Sequence, residues 1–127
     1  MAGVRKGGAQ HFTVQEAQNI ALGQAGSMFN DGTAAMKPPT DHVFVAITAL
    51  TDLTFDASGG LIAADADNFV NTETAAHNES GGSETALQGS GGIEMDNSNI
   101  IPKGVTIYGR WIEIDPAGGE CIAYIGK

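Results

Sequence analysis

Two stretches hold most of this chain's capacity to build a core, residues 42–50 (HVFVAITAL) and 104–125 (GVTIYGRWIEIDPAGGECIAYI). Both are dense in β-branched and aromatic residues. Their apolar positions run successively or alternate, without helical spacing, which predicts strands. The rest of the composition pushes the same way. Gly supplies 18 of the 127 residues and Ala another 18, so over a quarter of the chain carries almost no side chain. An interior Gly costs a helix about 1 kcal/mol relative to Ala, so a bundle of long helices is excluded and the core is thin. The expectation is a mainly β protein, a small antiparallel β-sandwich or barrel, with an extended N-terminal arm carrying at most one short helix.

Residues 42–50 are apolar on both faces, which predicts burial on both sides. Leu53, Thr54 and Phe55 continue that strand after a bend at Asp52, and residues 56–60 (DASGG) read as a turn. Leu61-Ile62 and Asn68-Phe69-Val70 are short candidate strands. In residues 104–114, alternation places Val105, Ile107 and Trp111 on one face and Tyr108, Ile112 and Ile114 on the other. Residues 115–119 (DPAGG) then read as a hairpin turn, with 120–125 (ECIAYI) returning as the partner strand.

Two segments lack this character. Residues 1–40 read as an arm, opened by Gly3, Gly7 and Gly8 and closed by the stiff Lys37-Pro38-Pro39-Thr40. Within it Thr13 and Glu16 fit a capping box. Val14, Ala17, Ile20 and Ala21 give a small helical face, and Gly23 ends it. Asn30-Asp31-Gly32 is a turn. The β domain is then 41–127. It contains a long Gly/Ser/Asn-rich loop at 71–99, where only Leu87, Ile93 and Met95 are large and apolar.

Charge narrows the partners. Fifteen acids against six bases give a net charge of −9, the wrong sign for tracking phosphates, so no nucleic acid is expected as a partner. No apolar run approaches the ~20 residues of a membrane span, and no membrane partner is expected. Arg5 and Lys6 have no hydrophobic stretch behind them, so a secretory signal is not expected and synthesis in the cytoplasm is. Between Asp41 and Pro102 the chain has no Lys or Arg, which gives the middle a solvated acidic character.

Signatures of catalysis fail one after another. His11, His42 and His77 show neither His-x-x-x-His nor Glu-x-x-His spacing. There is no Gly-x-Ser-x-Gly elbow. Gly89-Ser90-Gly91-Gly92 lacks the spacing of a dinucleotide fingerprint. Asp65-Ala66-Asp67-Asn68 clusters hard oxygen donors but has neither the glycine nor the final glutamate of an EF-hand loop, and reads as an acidic turn. The single cysteine, Cys121, alternates with Ala123 and Ile125 and reads as a buried core thiol. No catalytic residue, metal ligand or cofactor is expected. What remains is association, with Phe12, Val14, Ile20, Met28, Phe29, Arg110 and Trp111 as candidate interface residues. For Trp111 core packing is the stronger expectation.

The C-terminal segment carries a resemblance. Ile101-Pro102-Lys103-Gly104-Val105-Thr106-Ile107-Tyr108-Gly109-Arg110-Trp111, followed by Gly119 and Ile122-Ala123-Tyr124-Ile125-Gly126, resembles the end of small virion structural proteins of tailed bacteriophages. Residues 44–50 with Thr54-Phe55 are similar to the opening strand of the same group. The resemblance covers about 45 residues, leaving out the arm and the 71–99 loop. It implies a non-enzymatic virion structural protein, a group of which some members decorate the capsid exterior, and the expectation taken from it is an oligomeric capsid decoration protein on the virion exterior. Its partners would be the major capsid protein and further copies of itself as a homotrimer; a tail- or fibre-associated host-binding module is the alternative.

Overall fold

The computed structural model describes residues 25–65, 68–73 and 92–127. They form a mainly β, antiparallel structure of seven strands in two sheets. β1 is Ser27–Asn30, β2 Val43–Ala49, β3 Thr54–Phe55, β4 Leu61–Ala63, β5 Thr106–Ile114, β6 Pro116–Gly118 and β7 Cys121–Gly126. Five strands make the main sheet in the order β1-β7-β2-β5-β4, and β3 pairs with β6 in a second, two-stranded sheet.

β2 is the central strand, and its sequence says why. It is buried at five of its seven positions, Val43, Phe44, Ala46, Ile47 and Ala49, and it carries ladders on both edges, to β7 and to β5. This corrects the expected hairpin: β5 and β7 do not pair with each other, because β2 lies between them. The residues expected to be a tight turn instead cross to the second sheet. There Phe55 pairs with Pro116 and Thr54 with Gly118. The Asp115 N–H donates to the Gly60 carbonyl at 2.7 Å and the Leu50 N–H to the Glu120 carbonyl at 2.8 Å, so both ends of the crossing are fixed. β3 is likewise no continuation of β2 but a strand of the other sheet.

The core is one cluster built around Phe44, Ile47, Leu53, Phe55, Leu61, Trp111, Ile114 and Cys121, all buried. Trp111 and Ile114 were expected on opposite faces, yet both are inside. The ladder explains it. Leu61 faces Ile114, Ile62 faces Glu113, and Ala63 faces Trp111, so Ile112 is an extra residue on β5. A bulge of this kind resets the alternation of the bulged strand. A second irregularity between Phe44 and Ala46 does the same on β2. The indole also fills the space beside Gly109, where a Cβ would stand 2.6 Å from the ring.

Several segments expected outside the core join it. Met28 and Phe29 lie in β1 at the edge of the main sheet, paired with Ala123 and Ile122. Met36 is buried and exchanges both backbone hydrogen bonds with Ile114, at 2.8 and 3.0 Å. The part of the expected arm from residue 25 onward therefore belongs to the β structure, drawn in by the apolar Met28 and Met36. The expected helix around residues 13–23 lies outside the described residues.

Asn68-Phe69-Val70 forms a turn, not a strand, while Phe69 and Val70 pack partly buried on the core. The edges of the 71–99 segment are also tied in. The Asn71 N–H donates to the Ile93 carbonyl at 2.9 Å and the Met95 N–H to the Asn71 carbonyl at 2.8 Å. Asn71 and Thr72 are buried, and Thr72 Oγ1 accepts from the Leu61 N–H at 2.9 Å. Residues 74–91 of that loop lie outside the described residues.

Candidate functional site

The main sheet has one face on the core, and the register defines the other. Across β1, β7, β2 and β5, Ser27 stands opposite Tyr124, Tyr124 opposite Ala46, and Ala46 opposite Tyr108. The next row runs Phe29, Ile122, Thr48, Thr106. Directly opposed residues share a face, so Phe29, Ile122, Tyr124 and Tyr108 stand together on the side away from Ile47 and Ala123. Ala46 is small and buried between the two tyrosines' positions. Further along β5, Arg110 and Ile112 alternate outward with Tyr108.

This face is apolar and open. Tyr108 is 76% exposed, Phe29 58% and Ile112 43%. Scattered surface apolar residues are ordinary, whereas a contiguous aromatic and aliphatic patch marks a contact surface. The two threonines in the second row bond each other, Thr48 Oγ1 to Thr106 Oγ1 at 2.7 Å, so their hydroxyls are satisfied within the sheet. The only charge among these face residues is Arg110, whose guanidinium donates to the Lys127 main-chain oxygen at 2.6 Å. In a chain of net charge −9 this is a locally uncharged to positive surface.

The candidate interface residues separate accordingly. Phe29 and Arg110 both lie on the outer face, but apart, Phe29 on the edge strand β1 and Arg110 on β5 with β7 and β2 between them. Met28, the neighbour of Phe29 in sequence, turns inward and packs partly buried on the core. Trp111 is corrected as an interface residue: its ring is fully buried, and its indole N–H donates to the Val70 carbonyl at 2.8 Å. Phe12, Val14 and Ile20 lie outside the described residues. Tyr108, Ile112, Ile122 and Tyr124 also lie on this face and were not among the candidate residues. Alternation puts Tyr108 and Ile112 on one face of β5, but it puts Ile114 there as well, and the structure buries Ile114.

The remaining chemistry is sparse. Among the described residues no group of three or more His, Cys, Asp or Glu side chains assembles into a metal site. Asp65 accepts from the Asn68 side-chain amide at 2.5 Å and from its backbone N–H at 3.2 Å, as an acidic turn does; Asp67 lies outside the described residues. His42 Nδ1 is 2.8 Å from the Thr40 carbonyl, while His11 and His77 lie outside the described residues. Burial pushes the Cys121 thiol up to about 11, which keeps it protonated and unreactive. Asp96 is held below its usual range by the Ser98 hydroxyl and then by the Ser98 N–H.

Compared with protein families, with curated proteins and with solved structures, the chain matches none.

Proposed function

We propose that the protein is a non-enzymatic virion structural protein of a tailed bacteriophage, an oligomeric capsid decoration protein bound to the major capsid protein lattice on the capsid exterior. The observation that carries this reading is the open apolar face formed by Phe29, Tyr108, Ile112, Ile122 and Tyr124. A thin-cored chain with 18 glycines gains little from leaving such a face in water. Burying it against a second copy stabilises the assembly at about 25 cal/mol per Å² of apolar surface. In this reading copies associate through the outer face as a homotrimer, and the N-terminal arm reaches the capsid or an adjacent subunit. The resemblance of residues 101–126 to phage virion proteins supplies the biological setting.

The test is co-sedimentation with capsids of the parent phage that lack decoration. Binding of the full chain, lost on deletion of residues 1–24, is the expected result. A protein that stays in the supernatant with these capsids contradicts the reading.

A tail- or fibre-associated module is the second reading, favoured by one observation. Tyr108 and Tyr124 flank Ala46 in a single row, a spacing on which a sugar ring could stack. Retention on host-cell glycans, with loss in Tyr108→Ala, would favour it over capsid binding.

A further inference from the structure

Two carboxyl groups meet where the chain crosses between the sheets. β3 runs into the 56–60 turn to reach β4, and β5 passes through Asp115 to become β6. At this corner the Asp56 N–H donates to the Asp115 carbonyl at 3.0 Å, and the Asp115 N–H donates to the Gly60 carbonyl at 2.7 Å. Gly60 keeps the turn tight: a Cβ there would stand 2.1 Å from the Asp56 carbonyl oxygen. The backbone thus holds Asp56 and Asp115 beside one another.

Among the described residues, the charges acting on Asp115 do not compensate it. Asp115 Oδ1 is sealed from solvent and, among the described residues, has no hydrogen-bond partner. The charged groups acting on Asp115 are Asp56, from the turn after β3, and Glu113, from β5. Both are acids. The base in the neighbourhood, Lys37, is paired with Glu113 at 3.6 Å. A carboxylate oxygen left without water or donor is costly. The protonated form is not, because its O–H can be given to the facing carboxylate while one charge disappears.

We propose that Asp56 and Asp115 form a proton-operated clasp at the sheet-to-sheet corner: one shared proton closes it in acid, and losing that proton sets two like charges against each other and loosens the corner. The direction of titration agrees. Asp115 is raised above the ordinary carboxyl range by burial first, then by the Asp56 charge and by the hydrogen bond with Asp56, and last by Glu113. A group raised in the folded state adds stability below its unfolded value and loses it as pH rises through the folded value. The clasp therefore favours the folded protein in acid and opposes it near neutrality.

The test is carboxyl carbon titration by NMR on the intact chain, with urea midpoints between pH 4 and pH 8. In the unmodified protein one carboxyl of the pair should titrate above the ordinary aspartate value of about 3.9. It should move back toward that value in Asp56→Asn. Asp115→Asn should unfold at higher urea than the unmodified protein at pH 7, with the difference shrinking toward pH 4. The Asp56→Asn, Asp115→Asn double variant should gain less than the sum of the two single variants. Ordinary titration of both carboxyls in the unmodified protein overturns the clasp even if every variant fails to fold. So does a pH 7 stabilisation by millimolar calcium that Asp115→Asn abolishes, which would make the pair a cation site.

Discussion

The indole of Trp111 donates to the Val70 carbonyl at 2.8 Å and thereby ties the fully buried centre of β5 to the turn that follows β4. One residue supplies both the largest buried surface of the core and a polar tether for a segment that forms no strand. Trp111→Phe keeps an aromatic ring but removes the donor and leaves unfilled volume beside Gly109. The expected cost is about 2–3 kcal/mol, combining a lost buried hydrogen bond with imperfect refilling of the space. Urea unfolding followed by circular dichroism checks it.

Two glycines with left-handed backbones should respond differently to alanine. Gly119 has φ +94, and a Cβ there would stand 2.2 Å from the Asp52 carbonyl oxygen, which is backbone and cannot swing away. Gly104 has φ +86, and a Cβ there would meet none of the described residues within 4 Å. Gly104→Ala is expected to lose only the left-handed penalty, about 1–2 kcal/mol. Gly119→Ala is expected to lose that and a backbone clash, on the order of 3 kcal/mol or more. Paired denaturation curves of the two variants give the ordering directly.

Cys121 should be silent in the folded protein. It is fully buried, and burial pushes its thiol up to about 11, so little thiolate exists at pH 8 and a reagent has no path to it. Ellman's reagent at pH 8 is expected to label it only after urea unfolds the chain. Rapid labelling of the folded protein would place the thiol outside the core.

How much of this was legible in the sequence follows from what each signal measures. β2 could be read because seven consecutive residues fit burial on both faces, and β5 and β7 because their runs are long and apolar. Which strands pair was not legible. The step from Ile114 to Cys121 suits a hairpin locally, and only the fit of β2 between β5 and β7 decides against it. The common burial of Trp111 and Ile114 was hidden for a similar reason, since a bulge at Ile112 appears only when β4 is in register. Met36 was hidden by its setting among Lys37, Pro38 and Pro39. For the outer face, the alternation of Tyr108 and Ile112 with Trp111 was visible, but the open side of β5 emerges only with the whole sheet in place.

The proposed association through the outer face has a direct consequence at Tyr108. Placing a charge at its centre should break association and spare the fold, because the side chain is 76% exposed and contributes little to the subunit's own core. Tyr108→Glu is expected to keep the circular dichroism spectrum and the unfolding midpoint within about 0.5 kcal/mol of the unmodified protein.

The mass of the native protein in solution, by light scattering across a dilution series, tests the central claim most directly. The expected result is an assembly of about three times the 13.0 kDa chain, falling to the single-chain mass in Tyr108→Glu. A single-chain mass for the unmodified protein at every concentration would contradict the account.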